Sequence, residues 1–255
     1  VLFLIFFFAY LAVLLGTVFA DAAADAVCAM QDELIGYLHI AHTDAAPVTD
    51  DFVEALRRDA DVSDVAAFDG TDMVFCDLTL VTYGRQANFA GHTAHLTGGA
   101  AMAHPYFLQG TFSMREGGAP QDGDAGRALI SYDVARANNL ALGDRITCYR
   151  QISPQSLDQR PFSYEICGIY DVMQNAETSN RPSWLIPANT IFVSVQDLEA
   201  IHQTYQENED GAYRDGVIVF AENAQMLPQI AQRVTQKESA YSVTVHDEAY
   251  QATVV

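Results

Sequence analysis

The sequence is poor in positive charge. Lysine and arginine make up 13 of its 255 residues, against 33 aspartates and glutamates, so the formal net charge is −20. Lys237 is the single lysine. Because proteins that bind nucleic acids or anionic lipid headgroups neutralise phosphates with basic side chains, this balance argues against both kinds of partner.

Several motifs that carry chemistry are also missing. The sequence has no GxxxxGK[ST] segment, so a P-loop nucleotide site is excluded, and it contains neither HExxH nor GxSxG. Acidic residues are too numerous for one carboxylate pair to stand out as a general acid and base. We therefore predict that the chain is not an enzyme, and we assign no catalytic residue, no cofactor-binding residue and no cofactor.

Cysteine is scarce, and its four residues are Cys28, Cys76, Cys148 and Cys167. None belongs to a CxxC pair, so neither a zinc ribbon nor a thioredoxin-like site is indicated. Cys148 and Cys167 fall in neighbouring strand-like segments. A disulfide across a hairpin and two buried free thiols are both open there.

Three histidines, His92, His95 and His104, lie in residues 84–105, whose composition predicts a surface loop. His92 and His95 stand three residues apart, a spacing that can chelate a metal on a helix. The glycine-rich surroundings do not favour a helix, however, and the segment contains no acidic residue and no cysteine. We predict no metal site and keep a metal-binding or hydrolytic protein that uses these histidines as an alternative.

The first twenty residues form a long apolar run without a charged residue. As a helix this run would be about 30 Å long, the thickness of a bilayer's hydrocarbon core. It predicts a transmembrane helix, with a cleaved signal peptide as the alternative, because residues 18–20 resemble a small-x-small cleavage site. No lysine or arginine follows this run until Arg57, and basic residues usually flank a span on its cytoplasmic side. We therefore expect a single N-terminal span in the cell membrane and an extracytoplasmic domain.

The apolar residues that follow recur at helical spacing, which predicts an amphipathic stalk continuing the membrane helix to about residue 47. The members of this stripe are Val27, Met30, Leu34, Tyr37 and Ala41. Thr49 then predicts the N-cap of a short helix with an acidic first turn. Residues 62–81 predict strands separated by a turn at Asp69 and Gly70.

The rest of the chain alternates short strands and helices. The predicted elements are strand 127–131, helix 132–139, a turn at 143–144, strands 145–149, 162–170 and 190–193, helix 195–207, and a β-α-β unit of 215–221, 223–237 and 241–245. Ser131 is better explained as a helix N-cap than as a nucleophile. The order of elements predicts an α+β fold.

Some of these segments are similar, in the same order, to the extracytoplasmic domain of MacB/FtsX-type ABC transporter permeases. Residues 128–131 and 133–135, followed by LALGDRI at 140–146, resemble its "strand, short helix, Gly-Asp turn, strand" segment. The segments at 52–58, 62–65, 107–112, 165–170, 191–194 and 197–198 resemble other parts of the family pattern. Residues 84–105 and 174–185 depart from that pattern.

The resemblance implies a transmembrane helix and stalk at 1–47, followed by a domain in two parts. A mixed α/β porter-like part would comprise 48–124 and 213–255, and a strand-rich sabre-like part at 125–212 would be inserted between them. The domain would perform no bond chemistry. It would transmit ATP-driven conformational change across the membrane for export or mechanotransmission.

The resemblance also implies the partners of such a subunit. These are a cytoplasmic ABC ATPase, a second permease copy in a dimer, the membrane, and an extracytoplasmic partner protein in some systems. An FtsX-like regulator of a cell-wall hydrolase shares the same fold and remains a further alternative.

Overall fold

The computed structural model describes residues 36–43, 46–83, 88–121, 123–173, 181–205 and 212–247. Its strands are β1 (Tyr37–His42), β2 (Val48–Thr49), β3 (Val62–Val74), β4 (Thr93–Gly98), β5 (Phe112–Gly117), β6 (Arg127–Ser131), β7 (Arg145–Cys148), β8 (Gln151–Ser153), β9 (Ser156–Leu157), β10 (Phe162–Val172), β11 (Thr190–Val193), β12 (Ala212–Tyr213), β13 (Gly216–Ala221) and β14 (Tyr241–His246). Its α-helices are α1 (Asp50–Arg57), α2 (Pro105–Leu108), α3 (Tyr132–Asn138), α4 (Val195–Tyr205) and α5 (Leu227–Lys237).

One large mixed sheet organises the molecule. Its strand order is β14-β1-β13-β3-β4-β11-β6-β10-β5, and β7 also pairs with β10. β11 runs parallel to β4 and β6 runs parallel to β10, whereas the other pairs are antiparallel. The chain is therefore a mixed α/β fold with few helices.

The two faces of the sheet are covered differently. Alternation along the strands directs one set of apolar residues towards α1, α3, α4 and α5, in two clusters centred on Ile130 and Val219. The opposite face packs against residues 101–108, a 3₁₀ turn followed by α2, which we call the strap. Tyr170 and Phe192 are fully buried beneath the strap.

Strand β3 changes partner in the middle of the sheet. Residues 62–68 pair with β13, whereas residues 69–74 pair with β4 on the other edge. We call β14, β1, β13 and residues 62–68 the first half-sheet, and residues 69–74 with β4, β11, β6, β10, β5 and β7 the second half-sheet. Their meeting point between Phe68 and Asp69 is the junction.

The predicted turn at Asp69 and Gly70 is wrong, because β3 continues through both residues without interruption. The Asp-Gly pair is explained by packing. Asp69 is buried on the helix side, and Gly70 leaves room on the strap side for the carboxylate of Asp215, which a Cβ atom would overlap. The Asp-Gly pair, which is typical of a turn, is thus explained here by the burial of Asp69 and by the close approach of Asp215 to Gly70.

The predicted helical stalk is wrong over residues 37–42, which form β1. β1 pairs with β13 on one edge and with β14 on the other. Its backbone N–H and C=O groups are therefore satisfied by two neighbouring strands instead of by hydrogen bonds within a helix. Leu38 and Ile40 are buried on one face and Tyr37 on the other. Residues 1–35, with the predicted membrane helix and the rest of the stalk, lie outside the described residues.

The predicted surface loop at 84–105 is also wrong in its centre, where Thr93–Gly98 forms β4 between β3 and β11. Ala94 and Leu96 are fully buried beneath the helices. The glycines that suggested a loop instead permit close packing, since the side chain of Leu198 in α4 fills the position where Gly98 lacks a Cβ. Residues 84–87 are outside the described part of the chain.

Many local predictions are confirmed. Thr49 caps α1 and Ser131 caps α3, each accepting a hydrogen bond from a backbone N–H three residues on. The strands and helices predicted beyond residue 126 are present, with ends that shift by a few residues. β13, α5 and β14 form the predicted β-α-β unit, and β1 lies between its two strands.

Cys76, Cys148 and Cys167 are free thiols. β7 and β10 do form a hairpin-like antiparallel pair, but Cys148 lies opposite Phe162, five residues before Cys167. Cys148 is fully buried, and that burial raises the pKa of its thiol. Cys148 and Cys167 are therefore free thiols and do not form the disulfide that the sequence left open.

The predicted boundaries between the porter-like and sabre-like parts, at 124/125 and 212/213, stay a prediction. Strands from 48–124, 125–212 and 213–255 share one sheet, so membership of the sheet does not separate the two parts. Within the described ranges, no helix combines the length and the apolar character needed to cross a membrane.

Candidate functional site

Two groups of polar side chains lie at the junction, one on each face of the sheet, and the dipeptide Arg214-Asp215 contributes one residue to each. This dipeptide directly precedes β13 in the first half-sheet. Both residues lie in the turn before β13, and their contacts place Arg214 on the helix side, beside His202, and Asp215 on the strap side, beside Thr97. Each side chain contacts residues of the second half-sheet or its helices.

On the strap side, His95 of β4 is held between two carboxylates. Its Nδ1–H donates to Oδ1 of Asp72 at 2.8 Å, and its Nε2–H donates to Oδ2 of Asp215 at 2.9 Å. Thr97 donates its hydroxyl to the same Asp215 oxygen at 3.0 Å. Asp72 lies opposite His95 in the register of the sheet, and Gly70 lies opposite Thr97. We call Asp72, His95, Thr97 and Asp215 the strap-side cluster.

The two carboxylates set the charge of His95. Burial of the imidazole lowers its pKa, but hydrogen bonds to Asp215 and Asp72 outweigh burial and raise the pKa to about 10. His95 is therefore an imidazolium at neutral pH. With two aspartates and one imidazolium, the strap-side cluster carries a net charge of about −1.

On the helix side, Asp69 of β3 holds His202 of α4 and Arg214. Nε2–H of His202 donates to Oδ2 of Asp69 at 2.7 Å, and Nη1 of Arg214 lies 3.6 Å from Oδ1 of Asp69. Asp69 Oδ1 also accepts the N–H of Gly70 at 2.8 Å. We call Asp69, His202 and Arg214 the helix-side cluster, and it ties α4 to the turn before β13.

Two further histidines near the junction stay neutral. His104, at the start of α2, lies edge-on to Phe68 and Phe192, and burial lowers its pKa to about 4. Its Nδ1 accepts the N–H of Tyr106 at 3.3 Å, so the proton of the neutral ring is on Nε2. Burial likewise lowers the pKa of His39 in β1.

A cleft of about 390 Å³ is lined by His95, Thr97 and Asp215 of the strap-side cluster, whereas Asp72 lies outside its lining. Polar and apolar side chains both border the cleft. The lining residues are His39, His95, Thr97, His104, Pro105, Tyr106, Trp184, Leu185, Ile186, Pro187, Thr190 and Asp215. His39 and Asp215 belong to the first half-sheet and its preceding turn, so both half-sheets contribute to the cleft.

The structure does not bring His92 and His95 together as metal ligands. His95 lies in an extended strand with both ring nitrogens on carboxylates, and Nδ1 of His92 lies 3.4 Å from the carbonyl of Leu78. In the described part of the chain, no group of three or more His, Cys, Asp or Glu residues is arranged to hold a metal ion. The helical chelating spacing is not realised, because the backbone there is not helical.

Sequence reasoning missed this site. It identified His95 but as a loop residue, it placed Asp69 in a turn, and it gave no role to Asp72, Asp215 or His202. Asp72 is 23 residues from His95 in the chain and Asp215 is 120 residues away. A better signal was available in TAHLTG at 93–98, where polar residues alternate with apolar or small ones as in a half-buried strand.

A family model described as the MacB-like periplasmic core domain matches residues 3–237. Among curated proteins, no sequence matches the chain significantly.

Solved structures resemble the chain at low sequence identity. The periplasmic region of MacB from Actinobacillus actinomycetemcomitans has a TM-score of 0.50 at 10% identity, with coverage of 86% of this chain and 94% of that chain. The extracellular domain of the noncanonic ABC-type transporter YknZ from Gram-positive bacteria has a TM-score of 0.45 at 14% identity, covering 82% and 98%. A domain of a putative permease from Porphyromonas gingivalis has a TM-score of 0.40 at 13% identity, covering 83% and 88%.

Proposed function

Because this chain belongs to the family of MacB-like periplasmic core domains, we propose that it transmits ATP-driven conformational change as the extracytoplasmic part of an ABC transporter permease. The family membership carries the proposal. An ATPase partner hydrolyses the nucleotide, and this domain performs no bond chemistry. A second permease copy and an N-terminal span at residues 1–20 belong to the same proposal.

The junction gives this domain a physical means of transmitting motion. The first half-sheet has its own core beneath α1 and α5, and the second has its own beneath α3 and α4. Units with separate cores can move relative to one another by hinge or shear, with the change absorbed at a few residues where they join. We assign the role of the hinge to β3 at Asp69 and Gly70. The strap-side and helix-side clusters would hold the two half-sheets together on either face of this hinge.

The first experiment asks whether an ATPase accompanies the protein. The full-length permease, isolated from its native membrane with an affinity tag, should copurify with an ABC ATPase and show ATP hydrolysis. A preparation that contains the permease without any ATPase would contradict the proposal. A cell-wall hydrolase as a stoichiometric partner would favour the FtsX-like regulator instead.

The second experiment measures motion between the half-sheets in that complex. Spin labels at Ala137→Cys in α3 and Gln229→Cys in α5 report across the junction, after Cys28, Cys76 and Cys167 are changed to serine. A matched pair at Ala55→Cys and Gln229→Cys reports within the first half-sheet. We expect ATP to change the first distance and leave the second unchanged, and equal behaviour of both pairs would refute the hinge.

A further inference from the structure

We propose that the strap is an acid-sensitive clip across the junction, which opens when the imidazole of His104 takes up a proton. This inference goes beyond the proposed function, because it concerns a conformational switch within the domain and requires neither an ATPase nor transport. Three features of the strap carry it: its contacts with both half-sheets, the surroundings of His104, and the glycines at its two ends.

The strap packs on both half-sheets at once. Ala103 and Leu108 contact the apolar cluster of the first half-sheet, whereas Tyr106 and Phe107 contact that of the second. The strap therefore holds the junction together on the face opposite the helices. Its release would leave that face joined by the strap-side cluster and by the continuous backbone of β3.

His104 lies where the strap crosses the junction. Its ring is edge-on to Phe68 of the first half-sheet, with 5.3 Å between ring centroids, and to Phe192 of the second, with 5.2 Å. Its Nδ1 accepts the N–H of Tyr106 at 3.3 Å, which caps α2. A helix of four residues is unstable by itself, so α2 depends on this cap and on its packing.

A proton on Nδ1 of His104 disturbs both the cap and the packing. The protonated ring cannot accept the N–H of Tyr106, and its charge lies between aromatic rings. Burial is the largest effect on this ring and lowers its pKa to about 4, although Asp215 raises the pKa and His39 and His95 lower it further. The hydroxyl of Tyr106 is neutral, because burial raises its pKa. The closed strap therefore excludes the proton, and an open strap, with the ring in water, accepts it at about pH 6.5.

A glycine lies near each end of the strap. Gly99 has a φ of 148° and Gly110 a φ of 69°, values that other residues rarely adopt. Hinge movements are absorbed by a few residues that change their backbone angles, and small residues often serve in this way. The strap can therefore pivot between Gly99 and Gly110 without a change in β4 or β5.

Hydrogen–deuterium exchange of the purified full chain tests the clip. The protection of the backbone amides at 106–110, corrected for the intrinsic exchange rate at each pH, measures the opening equilibrium of the strap. Because opening moves the pKa of His104 from about 4 to its ordinary value, the opening constant should rise about 30-fold between pH 7.5 and pH 5.0. We expect strap protection to fall by that factor, while protection in α5 stays constant within about twofold.

Substitution of His104 identifies the group that titrates. His104→Asn keeps an acceptor for the N–H of Tyr106, because Asn is a favoured N-cap residue, and its side chain cannot be protonated. Whatever its strap protection at pH 7.5, this variant should change by less than about twofold at pH 5.0. His92→Asn removes an exposed imidazole outside the strap and should keep the wild-type change of about 30-fold.

The spin-label pair at Ala137→Cys and Gln229→Cys connects the strap to the junction. At pH 5.0, its distance distribution should broaden when His104 is present and stay unchanged when His104→Asn is added. Equal losses of strap protection with and without His104→Asn would overturn the proposal, and so would a loss that extends equally to α5. An unchanged distance distribution at pH 5.0 with His104 present would show that the strap does not clip the half-sheets together.

Discussion

The two ionic clusters at the junction use similar side chains in different surroundings. On the helix side, the side chains of His202 and Asp69 are 8% and 12% exposed. On the strap side, those of His95 and Asp215 are 28% and 19% exposed and border the cleft. One face of the junction is therefore closed by a helix, and the other remains partly open at the cleft.

The difference in exposure separates a buried cluster that holds the fold together from a partly exposed cluster that borders the cleft. The helix-side cluster fixes α4 to the turn before β13 through a single buried carboxylate, so its loss affects the fold first. The strap-side cluster has two carboxylates for one imidazolium and keeps a surplus negative charge at an accessible place. The same dipeptide, Arg214-Asp215, contributes one residue to each cluster and couples them.

The largest effect is expected from Asp69→Ala. This change removes the acceptor of His202 and Arg214, and removing one partner of a buried ion pair costs about 3–5 kcal/mol. Because Arg214 is partly exposed, we expect a loss of about 3 kcal/mol in the free energy of unfolding, measured by urea denaturation. Asp77→Ala, at an exposed position, is the control, and a loss no larger than the control's would show that the helix-side cluster does not hold the junction.

An intermediate effect is expected from Gly70→Ala. The added Cβ would overlap the carboxylate of Asp215 and displace it from His95 and Thr97. Overpacking of this kind costs about 1–3 kcal/mol, and we expect about 2 kcal/mol in the same denaturation experiment. Gly118→Ala is a matched control, because nothing lies within 4 Å of its Cβ position. Equal stability of the two variants would mean that the Asp215 carboxylate is not seated at Gly70.

The smallest effect is expected from pH acting on His95. Its pKa is raised from 6.5 to about 10 in the folded protein, so its contribution to stability is complete below pH 6.5 and is lost as pH rises through 10. Between pH 7 and 9, full linkage would cost the wild type about 2.5 kcal/mol relative to His95→Gln. Because the His95 side chain is 28% exposed and solvent screens its ion pairs, we expect a loss on the order of 1–2 kcal/mol. His104→Gln is the control and should follow the wild-type profile, because burial lowers the pKa of that ring to about 4 and the ring stays neutral in this range. Parallel profiles for the wild type and His95→Gln would refute the imidazolium assignment.

Elements beyond residue 126 were predicted well because local signals and tertiary contacts agree there. Ser131 is an N-cap by composition and by geometry, and Asn139 adopts the left-handed conformation that commonly ends a helix. The amphipathic pattern of α5 also matches its burial, with Leu227, Ile230 and Val234 facing the core. Where local sequence signals and tertiary packing favour the same structure, an element can be predicted from the sequence alone.

The wrong predictions fall at or beside the junction, where tertiary contacts override local signals. Tyr37 and Ala41 have helical spacing, yet β1 is fixed by partners more than 170 residues later in the chain. Asp69-Gly70 has the composition of a turn, and Gly98 that of a loop, yet both glycines lie in strands where a neighbouring side chain needs their space. Such requirements cannot be recognised without knowing the neighbour.

Composition and short-range patterns were enough to predict the local elements beyond residue 126, the acidic net charge and the resemblance to permease domains. Each of these depends on residues that are close together in the chain. The path of β3, the strand at 37–42 and the meeting of Asp72, His95 and Asp215 are visible only in the folded protein. Those features depend on pairing and charge contacts between distant segments, and a pair becomes visible only when folding brings both members together.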